Sequence, residues 1–345
     1  MNIQGVELDN PISPYVIAEM SGNHGNNFEM ARNLLIQSAK AGANAFKLQT
    51  YTPESMTLNS KRSEYIVDQG PWKGRNLFEL YSQGQTPNEW IPDLIKIAIS
   101  NNISLFSTPF SLKDVDILET FNVPAYKIAS FEITFVQLLK HIAQTGKPII
   151  FSTGLATIKE IELALETLYS AGAKSIALLK CTTSYPAKFE SLNLSSIAFF
   201  KEKYSIPVGF SDHTVGNLAA IAAVSHGASI LEKHVKLDED QTSVDSTFSL
   251  PVSELKEYIE SARSAAQANG VLQDGPTESE RGYLKYRRSI IASSDIEKGQ
   301  AISLENVSIL RPAIGMDPDK LPFILGKKAT RKIEFGEGIV EDLLY

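Results

Sequence analysis

Two lysines, Lys47 and Lys127, sit inside short runs that are otherwise apolar, AFKLQT (45–50) and AYKIAS (125–130). A lysine buried without a partner is costly or loses its proton. Each therefore needs an anion. That anion is either a phosphate or carboxylate of a ligand, or an internal carboxylate from Glu19, Glu132 or Glu232. Hydroxyl donors stand at the ends of the neighbouring runs: Thr108, Ser130, Ser152, Thr183, Tyr185 and Ser211. Cations with Ser and Thr donors around one point suit an anionic ligand. Glu232 and His234 are two residues apart, so they share a face of an extended segment, and His213 follows the preceding run. Two histidines on adjacent strand ends can close on one divalent metal, with water and substrate completing the shell. His24, in SGNHG, could line the same place. His141 and His226 fall in helical patterns and read as structural, and the parity of Lys180 and Lys233 turns them outward.

These residues are useful only if the chain brings them together. Eight short apolar runs carry them: YVIAE (15–19), AFKLQT (45–50), ISLFST (103–108), AYKIAS (125–130), PIIFST (148–153), SIALLKCT (175–182), IPVGFSD (206–212) and SILEKH (229–234). They read as buried parallel strands. Between them, apolar residues recur at spacings of three and four, as in 28–42, 158–172 and 217–228, and a last helical pattern covers 252–268. Strand–helix alternation repeated eight times predicts an α/β fold of the (β/α)8 TIM-barrel type. A doubly wound open sheet is the alternative. Barrel enzymes place their chemistry at the C-terminal ends of the strands, and here every strand end is polar. One connection, 51–87, is long and carries PWKGRN, which suggests a lid or an interface arm.

After about residue 270 the pattern changes. The reading is a barrel over 1–270, a polar linker over 271–289, and a small β-rich domain over 290–345 in which EKGQ (297–300) and EFGEG (334–338) mark tight turns. A domain of that size needs support from the barrel or from a second chain.

Composition bounds the rest. The 345 residues carry a formal net charge of −7, which argues against a nucleic-acid partner but not against a small anion held by a local lysine cluster. The single cysteine, Cys181, excludes an intramolecular disulfide. The first residues lack a basic and apolar leader, and no stretch reaches membrane-spanning length. A cytoplasmic protein with no membrane partner is the expectation.

At IAEMSGNHG (17–25), FKLQTY (46–51), FSTPF (106–110), STG (152–154), CTTSYP (181–186), GFSDHT (209–214) and LEKH (231–234) the chain resembles the sialic acid synthase family. The similarity covers nearly the whole length, and the C-terminal part, with SDIEKGQ and LRPAIG, is similar to that family's antifreeze-like (SAF) domain. Segments 50–60, 71–81 and KCTTSYP look closest to the pseudaminic acid branch. Thr183 stands where neuraminate-forming members usually carry Asn, which argues against N-acetylmannosamine as the acceptor; the neuraminate and legionaminate branches are the alternatives.

The resemblance implies condensation of phosphoenolpyruvate with an amino-sugar aldehyde, a 2,4-diacetamido-trideoxyhexose of the altrose type. It implies a divalent ion (Mn2+, Mg2+ or Co2+) on His213 and His234. Lys47, Thr108, Lys127, Ser130, Ser152 and Ser211 would hold phosphoenolpyruvate. Glu19, Glu132, Tyr185, Glu232 and Asp245 would fill other active-site positions, with Thr183 at the branch-distinguishing place and Glu19 nearest the attacking water. Arg311 would reach the sugar site of a partner subunit, which implies a domain-swapped homodimer. Two rivals stand beside this reading. One is a Schiff-base aldolase with Lys127 as nucleophile. The other is a non-catalytic carbohydrate-binding protein built on the C-terminal domain.

Overall fold

The computed structural model describes residues 1–345 and divides into two compact units, Met1–Gly270 and Val271–Tyr345.

In the first unit eight parallel strands form a closed barrel. They are β1 (Tyr15–Glu19), β2 (Ala45–Thr50), β3 (Ser104–Pro109), β4 (Tyr126–Ile128), β5 (Ile149–Ser152), β6 (Ile176–Cys181), β7 (Val208–Asp212) and β8 (Ile230–Lys236). Each pairs with the next, and β8 pairs with both β7 and β1, which closes the ring. The expected TIM barrel is therefore the observed architecture. The open sheet is excluded by the β8–β1 register, in which His234 lies opposite Glu19.

Period-two alternation decides what each strand residue does. Outward positions such as Val16, Phe46, Leu105 and Leu178 join the helices in the larger apolar core. Phe28–Ala41 illustrates why those helices form. Asn27 caps its first turn through Glu29 N, Gly42 ends it in the left-handed region at φ 95°, and Ala31, Leu34, Leu35 and Ser38 make the buried stripe.

Inward positions form layers. The lower layer is apolar: Tyr15, Ile17, Ala45, Phe106, Ile150 and Leu179, with Ile3 and Leu8 of the N-terminal segment packed beneath it. That segment is held by a small hairpin in which Asn2–Ile3 pairs with Val6–Glu7. The next layer up is polar and contains Glu19, Lys47, Lys127 and Glu232.

One strand end departs from expectation. Asp212 closes a run whose end is polar, yet it has outward parity. Its carboxylate lies outside the ring, 3.0 Å from Lys233 Nζ and 3.1 Å from Tyr258 OH. Lys233 faces outward as its parity requires, and Lys180 donates to the Cys181 carbonyl at 2.8 Å.

The C-terminal unit has its own apolar core, including Ile290, Ile296, Val307, Ile324, Ile333 and Ile339. Ser289–Ala292 pairs antiparallel with Val307–Leu310, and single bridges join Ile291 to Gly338 and Ile296 to Ile333. Both expected turns are present. Gly299 has φ 80° and Gly336 φ 83°, a region that favours glycine. The stretch read as a polar linker carries short helical turns at Glu278–Arg281 and Leu284–Tyr286, the first closed by a Thr277–Glu280 capping box. No helix of the protein is long and apolar enough to cross a membrane.

Asp212 and Lys233 make a testable structural pair. Lys233→Met leaves a fully buried carboxylate uncompensated and is expected to cost about 3–5 kcal/mol in urea unfolding. Adding Asp212→Leu should recover much of that loss. A single variant as stable as the parent would contradict the pairing.

Candidate active site

The floor of the site is a network of buried ions. Glu19 ends β1 and lies in register with Lys47 of β2. Lys47 Nζ is 2.6 Å from Glu19 Oε2 and 3.7 Å from Glu232 Oε2, and it donates to Thr108 Oγ1 at 3.0 Å. Lys127 Nζ is 3.4 Å from Glu232 Oε1 and donates to Ser152 Oγ at 2.6 Å. Ser211 donates to Glu232 Oε1 at 3.2 Å. Glu232 therefore bridges two lysines supplied by different strands. The internal partners of the lysines are Glu19 and Glu232; Glu132 makes no ion pair with either.

Burial and charge separate these groups. Burial pushes Glu19 up from its ordinary range despite the pull of Lys47. Burial also disfavours the Glu232 carboxylate, but Lys127 and Lys47 together outweigh that and hold it down. For Lys47, burial is outweighed by Glu19 and Glu232, so the lysine is held up and charged. Lys127 is the opposite case, because burial outweighs Glu232 and lowers its pKa. Two acids and two bases in contact, pushed apart in this way, form an acid–base pair of each kind.

A cavity of about 610 Å³ stands over this floor. Gln49, Glu132, Tyr185, His234 and Asp245 supply polar groups to its wall. Gln49 donates to Glu19 Oε1 at 3.1 Å, tying wall to floor. Asp245 accepts from Ser21 Oγ and from Gly22 N, and burial raises its pKa against those bonds. Glu132 ends a short turn after β4, and burial pushes its carboxyl up to about 7. Its Oε2 is buried without a partner. Ser130 accepts from Gly154 N at 3.0 Å. Gly154 is required here, since a Cβ would come within 2.7 Å of Ser130 Oγ and closer still to Thr183 Oγ1.

The rings of His213 and His234 lie 5.5 Å apart. His213 directs Nδ1 to the Thr182 carbonyl at 3.0 Å, which leaves Nε2 free. His234 is buried with Nδ1 unpartnered, and burial, ahead of the nearby lysines, holds its pKa well below the ordinary range. A free imidazole nitrogen and an orphaned buried one fit a divalent ion as a pair. No cluster of three or more His, Cys, Asp or Glu side chains is arranged to hold a metal ion. Water and substrate oxygens would have to complete the shell. Tyr185 packs at a tilt against His213 with ring centroids 4.4 Å apart and against Phe248 at 4.9 Å.

One expected residue lies elsewhere. His24 does not line the mouth. It is fully buried, with Nε2 3.2 Å from the Gly84 carbonyl and its ring against Trp90. Arg311 lies on the C-terminal unit, exposed to solvent. His141 pairs with Asp116 at 2.7 Å, away from the site.

Several participants were not anticipated. Gln49 shares the parity of Lys47 and was accessible to the alternation argument. Ser21 and Phe248 lie on loops, where periodicity gives no signal. Trp72 and Tyr81 come from the 51–87 connection, whose role the sequence left open.

A barrel floor of this kind has known relatives. The NeuB family model matches residues 34–274, and the SAF domain model matches residues 287–344. The chain belongs to the NeuB family. Among NeuB-like relatives, a pseudaminic acid synthase of Campylobacter jejuni is 42% identical over 330 residues, covering 95% of each chain. An N,N'-diacetyllegionaminic acid synthase of the same species is 35% identical, covering 94% of this chain and 98% of the other. A crystal structure of N-acetylneuraminic acid synthetase from Leptospira borgpetersenii superposes with a TM-score of 0.74 at 28% identity, covering 82% of this chain and 94% of that one.

Glu132 yields a pH test. Its ordinary pKa is 4.5 and its folded value about 7. Between those values the folded chain keeps a proton that the unfolded chain has lost, so this group's contribution to stability falls as pH rises. Glu132→Gln should therefore gain stability relative to the parent between pH 5 and pH 8, by roughly 2–3 kcal/mol at most. Urea unfolding at both pH values measures it, and a pH-independent difference would contradict the assignment.

Proposed function

We propose that the protein condenses phosphoenolpyruvate with a 2,4-diacetamido-trideoxyhexose of the altrose type, releasing phosphate and forming pseudaminic acid. The observation that carries this reading is the Lys47–Glu232–Lys127 cluster beneath a partly polar chamber. It offers two cations to a trianionic ligand and carboxylates to the positive centre that the reaction creates. The 42% identity to the Campylobacter jejuni synthase supports this choice of acceptor. The legionaminic acid relative keeps a sister sugar as the alternative.

The balance is one new carbon–carbon bond and one broken carbon–oxygen bond. Carbon 3 of phosphoenolpyruvate adds to the aldehyde carbon, whose oxygen takes up a proton. Positive charge then builds at carbon 2, within reach of the ionised Glu232. Water adds there, and phosphate leaves with its bridging oxygen. Glu19, with its raised pKa and its place beside Lys47, is suited to accept the water's proton. Lys47 and Lys127, with Thr108, Ser152 and Ser211 between them, would hold the phosphate and carboxylate and stabilise the leaving charge. Ser130 and Thr183 meet at Gly154, on the rim of the anion site. Asp245 and Tyr185 would orient the sugar. A divalent ion on His213 and His234 would supply Lewis-acid polarisation of the aldehyde oxygen.

We place the reaction in the cytoplasm, where phosphoenolpyruvate is made. We further propose a homodimer in which Arg311 of one copy serves the sugar chamber of the other. Arg311 forms no ion pair within its own unit. Exposed apolar residues ring the barrel mouth, with Phe131 64%, Leu155 69% and Val215 68% accessible. These would gain cover from a second copy.

The lowered pKa of Lys127 also suits a Schiff-base nucleophile, and one assay separates the two chemistries. Phosphate release should require phosphoenolpyruvate and the altrose-type sugar. It should fall by about a hundredfold or more in Lys47→Ala and stop with EDTA. His234→Ala should also abolish the high-affinity Mn2+ signal in an EPR titration. Borohydride trapping of pyruvate on Lys127, with no phosphate release from any sugar, would overturn the synthase reading. Mixing inactive Arg311→Ala and His234→Ala chains should restore partial activity if the copies share sites.

A further inference from the structure

The 51–87 connection is a built arm. Its central part folds back on itself, with Val67 N donating to the Arg75 carbonyl at 2.9 Å and Gly74 N to the Val67 carbonyl at 2.8 Å. Asn76 ties the ends together. Its side chain caps the helix Leu77–Gly84 and donates to the Ser60 carbonyl at 2.8 Å. The turn at the tip presents Trp72, which is half-buried in an otherwise exposed stretch.

Trp72 spans the mouth. Its Nε1–H donates to the Val244 carbonyl at 2.8 Å, across 172 positions of sequence. Its ring packs on Tyr185 at 5.3 Å and edge-on to Phe248 at 5.8 Å. Val244 is the neighbour of Asp245, and Tyr185 packs against His213. One side chain therefore joins the arm to the loop that carries Asp245 and to the ring beside the histidine pair.

The arm also divides the chamber chemically. Its contribution to the lining is mostly apolar, from Met56, Val67, Trp72, Leu77 and Leu80, with the rings of Tyr51 and Tyr81 beside them and Ser55 and Gly84 as the small members. The carboxylate, carboxamide and imidazole groups of the lining, Gln49, Glu132, His234 and Asp245, belong to the strand ends and their loops. An aldehyde sugar bound with its carbonyl over the floor would place its far end against the apolar wall.

We infer that Trp72 is a positioning residue that holds the arm as a specificity wall, and that this wall selects acceptors presenting a deoxygenated methyl terminus or acetamido methyl groups. The inference rests on the synthase reading above. An apolar wall gains from a methyl group and rejects a hydroxymethyl in its place only moderately, by about 10- to 100-fold. Trp72 acts on the sugar end of the site and not on the Lys47 and Lys127 anion site below it.

The test compares steady-state kinetics of the parent, Trp72→Phe and Trp72→Ala with the 6-deoxy acceptor and its 6-hydroxy counterpart. Trp72→Ala should raise the KM for the deoxy acceptor by about 10- to 100-fold and shrink the preference for the deoxy sugar. The KM for phosphoenolpyruvate should stay within about twofold, since the anion-site contacts are untouched. Trp72→Phe keeps the ring contacts and loses the Val244 hydrogen bond, so it should fall between, with about a three- to tenfold rise. An equal rise in both KM values, or an unchanged sugar preference, overturns the proposal. If the parent turns over no acceptor, the synthase reading fails, and tryptophan fluorescence still decides this one. The chain has two tryptophans, and Trp90 lies against His24 and Phe28. The deoxy sugar should shift emission in the parent and not in Trp72→Phe, which retains Trp90. A flat response in the parent overturns the proposal.

Discussion

The barrel is organised around a charge problem. Glu19, Lys47, Lys127 and Glu232 are all nearly inaccessible to water, at 0%, 3%, 2% and 4% exposure. Each loses hydration worth several kcal/mol. None of them is tolerable alone. Together they form a balanced set in which Glu232 touches both lysines and Glu19 touches one. The surrounding hydroxyls of Thr108, Ser152 and Ser211 satisfy part of what remains. A cluster of this kind adds little net stability. It persists because the apolar core between strands and helices, and the apolar layer below it in the barrel interior, hold the strands that carry it.

The layering follows from alternation alone. Strand residues point alternately in and out, so a single sequence pattern builds both the helix-facing core and the barrel interior. Going up the barrel, inward positions change from Ile17, Phe106 and Ile150 to Glu19, Thr108 and Ser152, two residues later in each strand. The transition from oil to charge takes one step. The apolar lower layer, closed by Ile3 and Leu8, packs the barrel interior beneath the ions.

Much of this could be read without coordinates. The strand order, the barrel closure and the inward placement of Lys47, Lys127 and Glu232 all follow from short apolar runs and parity, signals that are local and periodic. Asp212 stands between Ser211 and His213, and only its own parity shows that it turns outward. His24 was ambiguous because loop residues have no parity; its ring serves the fold by bracing Gly84 and Trp90. The chamber wall was invisible for the same reason. Nothing in PWKGRN announces that its tryptophan reaches the carbonyl of Val244, a contact made only when two distant loops meet. The metal pair was suggested by adjacency of strand ends, and the structure places the two rings near each other without supplying a third protein ligand.

The division of labour in the chamber has a consequence for how such proteins diversify. The ions of the floor are spread over four of the eight barrel strands, so altering the bond-making chemistry would require coordinated changes at distant points of the domain. About half of the apolar lining, including Trp72 at its centre, is contributed by one contiguous stretch between β2 and β3. Exchange of that stretch alone, by recombination or by design, could retarget the catalyst to a different sugar while leaving its reaction intact. Acceptor choice is in this sense a cassette, and catalysis is the chassis into which it is fitted.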